Sequence, residues 1–141
     1  NGCFSPMIAF IRFSISSTSH VIILSGEGYS LMYPEGEEPT RYEWKVGSMI
    51  VPPNMWFHQH FNTGTTPARY LAFKYEGVAI RNAQGVPKAW ISRRIGGDQI
   101  DYADESREVR TMFADALAAN GLTPKMDAAY EAEIPELPPI G

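Results

Sequence analysis

Short apolar runs alternate with glycine, proline and hydroxyl-rich breaks over the first two thirds of the chain, a rhythm that predicts strands joined by turns. Residues 4–15 mix Phe, Ile and Met with few polar side chains and read as one or two buried strands interrupted by Pro6. A hydroxyl-rich turn at 14–19 leads into a strand at 20–24, which ends at Gly26-Glu27-Gly28. The strand at 29–33 then reads as the second arm of a hairpin. Residues 34–39 form an acidic, solvated loop. At 40–46, Tyr42, Trp44 and Val46 alternate with Arg41, Glu43 and Lys45, which predicts an antiparallel strand with one buried and one wet face. Gly47 marks a tight turn before a short strand at 49–51. Pro52 and Pro53 forbid a central ladder position, and 56–62 resumes extended structure. A turn at 63–67 and an aromatic and aliphatic strand at 68–75 follow, and 88–95 reads as a final edge strand carrying Arg93 and Arg94.

The period changes after Gly96-Gly97. Val109, Met112, Phe113, Ala116 and Leu117 recur at helical spacing, with acidic residues before them and Asn120-Gly121 after them, so one amphipathic helix is predicted at 105–119. Its narrow apolar stripe fits docking on the strand domain better than filling a partner's groove. Residues 122–141 are proline-rich and read as an extended arm. The chain thus divides into a strand domain at 1–95 and a helix with an arm at 96–141, packed on the barrel or on a partner.

Composition narrows the function classes. A chain of 141 residues, 44% hydrophobic and 12% aromatic, supports one globular domain with a single core. A net charge of -4 and the absence of a basic run argue against nucleic acid or an anionic membrane as partner. No apolar stretch approaches the roughly 20 residues that span a bilayer. Cys3 is the only cysteine, so no internal disulfide forms, and a reduced, cytoplasmic setting is expected. No signal peptide is read at the start of the chain. A small-molecule ligand is the expected partner.

Candidate chemistry concentrates in residues 47–62. Residues two apart on a strand share a face, so Trp56, His58, His60 and Asn62 point one way while Phe57, Gln59 and Phe61 point the other. Gly47, Pro53, His58 and Asn62 stand at the spacing of the second conserved motif of the cupin superfamily, which this segment resembles. Met55 departs from it, standing where that family has glycine, which predicts a less tightly turned backbone there. The resemblance covers roughly residues 20–76 directly. It implies an all-β fold, the cupin-type double-stranded β-helix or jelly-roll barrel, here with one C-terminal helix and an extended arm.

The resemblance also implies where metal ligands would stand. Cupins that bind metal take a His-x-His pair and a third ligand from a first motif and one histidine from the second. Here the paired positions fall on Phe13 and Ile15, which coordinate nothing, while His20 falls near the third place. A reduced site of His20, His58 and His60, all the histidines in the chain, is the remaining candidate. Such a face suits a single transition metal, iron, zinc, copper or nickel, and the alternative is no metal, with inward histidines hydrogen-bonded to protein groups or water. Tyr29, Arg41, Trp56 and Arg69 are candidates to line a ligand pocket, an arginine fork matching a carboxylate. Asn62 is assigned to the turn that follows its strand, held by its side-chain amide. Gly26-Glu27-Gly28 is no phosphate loop, since no helix follows it.

Two functional readings stay open. One is a metal-dependent cupin enzyme, dioxygenase- or isomerase-like as the resemblance implies, with the reduced histidine site and no catalytic residue singled out. The other is a metal-free ligand-binding or structural cupin, or one half of a two-barrel protein, which the abrupt start of the chain suggests. A homodimer is expected from exposed sheet edges and from outward aromatics such as Phe57 and Phe61.

Overall fold

The computed structural model describes residues 2–4, 9–11, 19–74 and 80–131. Eight strands run in chain order: β1 Gly2–Phe4, β2 Ala9–Ile11, β3 Ser19–Ser25, β4 Gly28–Tyr33, β5 Thr40–Trp44, β6 Met49–Ile50, β7 Phe57–Asn62 and β8 Ala68–Lys74. They form two four-stranded sheets, in the orders β1-β8-β3-β6 and β2-β7-β4-β5, with every pairing antiparallel. The chain crosses repeatedly from one sheet to the other, and neither sheet closes on itself. The architecture is a mostly β sandwich consistent with the cupin type.

The predicted hairpin at 20–33 is corrected by this topology. β3 pairs with β6 and β8, whereas β4 pairs with β5 and β7, so Gly26 and Glu27 carry the chain around a corner between sheets. Gly26 sits at φ +86, and a Cβ there would lie 2.7 Å from the Ala68 Cα. On Gly28 it would lie 1.9 Å from the Phe61 carbonyl oxygen. Backbone passes so close at this corner that only glycine fits.

The sandwich interior is built by alternation. Val21 and Ile23 of β3, Ile50 of β6 and Ala68 of β8 meet Met32 of β4 and Trp44 of β5, with Trp56, Tyr70 and Ala72 packed against them. The outer face of the β2-β7-β4-β5 sheet is also covered. Helix α1, Arg107–Ala119, lays Val109, Phe113 and Leu117 over Tyr29, Leu31 and Phe61, and Met126, just before the short helix α2 Asp127–Tyr130, joins them. Phe57 packs beneath Tyr33, Ile100 and Tyr102. Phe57 and Phe61 are thus buried by this chain itself, not left for a partner as their outward register suggested.

Local signals set the helix ends. The Ser106 side chain accepts from the Val109 N–H at the start, and Gly121 at φ +70 closes the other end while the Leu122 N–H donates to the Leu117 carbonyl. Three further expectations are corrected. Residues 88–95 form two short 3₁₀ turns, Lys88–Trp90 and Arg93–Ile95, because Pro87 precedes the first and the Ser92 side chain caps the second. In β5 only Trp44 is buried, while Tyr42 is exposed, since β5 is an edge strand bonded on one side. Residues 122–131 fold back through Leu122 and Met126 instead of extending, and 132–141 lie outside the described residues, as do Phe13 and Ile15. No described helix is long and apolar enough to cross a membrane.

Candidate functional site

The site begins with two turns that aim β7. Gly47, at φ +84, lets the chain reverse between β5 and β6, where the Ser48 N–H donates to the Lys45 carbonyl at 2.9 Å. The Trp56 N–H then closes a turn on the Pro53 carbonyl at 3.2 Å, with Met55 at φ +68. Met55 therefore takes the left-handed conformation that glycine usually supplies, and the looser backbone expected from its side chain is corrected. At the far end of β7 the Asn62 amide donates to the Thr66 carbonyl at 3.0 Å and accepts from the Gly64 N–H at 3.2 Å, the turn-holding role expected of it.

Between these turns the register fixes what each side chain meets. His58 stands opposite Met32, His60 opposite Ser30 and Asn62 opposite Gly28; Trp44 stands across from Gly28 on β5. Residues opposite one another share a face. Met32 and Trp44 face the interior core, so His58 and His60 face it as well. Their ring centroids are 5.4 Å apart, with planes inclined by 50°. His60 Nδ1 is 2.7 Å from the Ser30 hydroxyl, which is fully buried. That bond occupies Nδ1 and leaves Nε2 for another partner. Burial first, and the neighbouring His58 second, hold the His60 imidazole down at about 3, so it is neutral at physiological pH. His60 nevertheless keeps part of its surface accessible, unlike Ser30 beneath it.

The sequence-selected residues divide among several faces. His20 alternates with the core residues Val21 and Ile23, so it points out of the β1-β8-β3-β6 sheet, opposite Phe73, and is exposed. The structure brings His58 and His60 together and does not bring His20 to them. Trp56 packs against the interior core. Tyr29 and Arg41 lie on the other face of their sheet, with the Arg41 guanidinium 3.9 Å over the Tyr29 ring and also paired with Glu43 at 2.6 Å. Tyr29 is fully buried there, its hydroxyl pKa pushed up chiefly by desolvation. Arg69 is exposed, on the outward register of β8 between the inward Ala68 and Tyr70.

Sequence reasoning missed Ser30 and a buried clasp on the outer face. Gln59 Nε2 donates to Glu105 Oε2 at 2.6 Å, and the Ser106 N–H donates to Glu105 Oε1 at 3.1 Å. Burial raises the Glu105 carboxyl above the usual range, partly opposed by these two donors. Nothing local in the sequence marks either partnership: Ser30 meets His60 across 30 positions and Gln59 meets Glu105 across 46.

A resident metal can be tested against these donors. Among the described residues no group of three His, Cys, Asp or Glu side chains is placed to hold a metal ion. Zinc sites take at least three protein ligands, and here two imidazoles converge while the third faces outward from the opposite sheet. The residues present do not fit the three-histidine site.

No protein-family model matches the chain, and no curated protein matches it. Among solved structures it is similar to the capsular polysaccharide assembling protein CapF from Staphylococcus aureus, with a TM-score of 0.51 and 14% identity over 61% of this chain and 25% of that one. A second CapF structure gives the same score and covers 24% of its chain. The chain thus spans about a quarter of the length of that protein. A recombinant oxalate oxidase in complex with glycolate gives a TM-score of 0.47 at 14% identity, over 84% of this chain and 61% of that one, too weak a likeness to carry an argument. The CapF likeness is one of fold alone.

Proposed function

We propose that the chain is a cupin-type domain that binds a small molecule between its two sheets, beside His58 and His60. The observation that carries this reading is a pair of inward-facing imidazoles, His58 and the neutral His60, beside an apolar cluster, with His60 keeping accessible surface. Ligand sites are mostly apolar cavities with a few convergent polar groups, and two imidazoles beside an apolar cluster match that description. Trp56 supplies an aromatic wall. Tyr29, Arg41 and Arg69 stand on outer faces, so the ligand's contacts are with the imidazoles and the apolar wall.

The test is a stability screen of the full chain against small oxygenated molecules. Ligands that raise the melting temperature of the wild type should lose that effect in His58→Ala and in His60→Asn. Hits that stabilise both variants as strongly as the wild type would sink the proposal. Metal content measured by elemental mass spectrometry on the same samples covers the metal-dependent enzyme: one ion per chain that disappears in His58→Ala would revive it.

A second reading, a structural role in an assembly, is favoured by the outer face of the β1-β8-β3-β6 sheet, which none of the described residues covers. Leu24, Met49, Leu71 and Phe73 are all exposed on it. A homodimer through this face predicts a dimeric mass by light scattering that falls to the monomer in Leu24→Lys/Phe73→Lys. A monomeric wild type would exclude it.

A further inference from the structure

We propose that Trp44 is the hydrogen-bond donor that anchors the ligand, and that this ligand is a neutral molecule carrying an acceptor oxygen on a compact apolar body. The inference rests on the sandwich interior being the ligand site. Trp44 is 6% exposed, and its Nε1 is buried with no hydrogen-bond partner among the described residues. An indole N–H can only donate, and a buried donor without an acceptor is unfavourable, so an acceptor has to come from elsewhere.

The side-chain acceptors of Asn62 and Ser30, in the same row as Trp44 and the next one, are already engaged. Gly28 is opposite Trp44, and a Cβ on it would lie 2.9 Å from Trp44 Cζ2, so the bare glycine is what lets the Nε1-bearing edge of the indole lie across β4. Next in that row is Asn62, whose amide holds the 62–66 turn from both ends. In the following row the Ser30 hydroxyl is bonded to His60. Trp44, His60 and His58 thus occupy three successive rows of one inner face, two residues apart along β4, or about 7 Å per row.

The charge of the ligand follows from what the interior lacks. Arg41 and Arg69 lie on outer faces, and the interior cluster among the described residues is apolar, with Val21, Ile23, Met32, Ile50 and Ala68 as its walls. A carboxylate placed there would be desolvated with no cation of the described residues beside it, whereas a carbonyl or hydroxyl oxygen needs only the donors present.

The experiment uses the full, ¹⁵N-labelled chain. The indole N–H signal of Trp44 is distinguished from those of Trp56 and Trp90 by its loss in Trp44→Phe, or, if that variant does not fold, by elimination with Trp56→Phe and Trp90→Phe. Acetone, cyclopentanone and cyclohexanone are titrated to millimolar concentration, followed by cyclohexanecarboxylate and methylcyclohexane. The expected result is a saturable downfield shift of the Trp44 indole proton with at least one ketone. The carboxylate should bind about tenfold more weakly or worse, and the hydrocarbon should leave that proton unmoved. Imidazole signals of His58 and His60 that shift while the indole does not would overturn the role of Trp44 and leave the site itself standing. A carboxylate that binds as tightly as the ketones would overturn the neutral ligand class. If neither ring system responds to any probe, the inference and the reading beneath it both fall.

Discussion

The histidine buried against Ser30 makes the fold acid-sensitive in a way that one substitution isolates. His60 has its folded pKa held at about 3 by burial and by His58, against an ordinary value of 6.5. Between those two values the unfolded chain binds a proton there and the folded chain does not. Stability from this group is therefore fully present above about 6.5 and is lost as pH falls toward 3, at about 1.4 kcal/mol per pH unit. From pH 7 to 4.5 the loss amounts to about 2–3 kcal/mol, a ceiling because His60 keeps some accessible surface. His60→Asn keeps an atom at the Nδ1 position to meet Ser30 and removes the titrating ring. Urea unfolding of wild type and variant, followed by circular dichroism at several pH values, gives the difference in stability. That difference should shift in favour of the variant by up to this amount as pH falls. A difference that stays constant within about 0.5 kcal/mol would show that the imidazole is not desolvated as the structure places it.

Other expectations follow from the same contacts. Glu105 is displaced the opposite way: its raised folded pKa means a contribution fully present below its unfolded pKa and lost as pH rises through the folded one, so Glu105→Gln should be at least as stable as wild type at pH 7 and should flatten that part of the profile. Gly28→Ala places a methyl 1.9 Å from the Phe61 carbonyl oxygen and should cost about 3 kcal/mol or more in urea unfolding, whereas Gly36→Ala, with nothing within 4 Å of its Cβ and only its φ of +82 to resist it, should cost about 1. Met55, at φ +68 and 51% exposed, should accept glycine with a change within about 1 kcal/mol, while Met55→Val should be destabilised by a further 1–2 or so, measured in the same way.

Much of the local structure was legible in the sequence, because strand alternation, proline breaks and helix caps act over a few residues. The common face of His58 and His60 follows from a period of two, and the stop at Asn120-Gly121 from the left-handed freedom of glycine. The turn held by Asn62 was equally local, closed within four residues. The 3₁₀ turns at 88–95 were not legible, since the apolar pieces there fit a short edge strand equally well.

Tertiary structure decided which surfaces meet. Both faces of β4 and β7 are buried, so composition along those strands does not say which face looks between the sheets and which lies under α1. Partner strands settle that choice, and a shift of one residue would have exchanged every side chain between the two. The same pairing sent His20 out of the opposite sheet, put Ser30 against His60 and Trp44 on the same inner face, and turned an expected hairpin into a corner. Local backbone preferences fix the direction and period of each strand; burial of apolar surface between segments far apart in the chain fixes their order, their register and therefore the composition of the site.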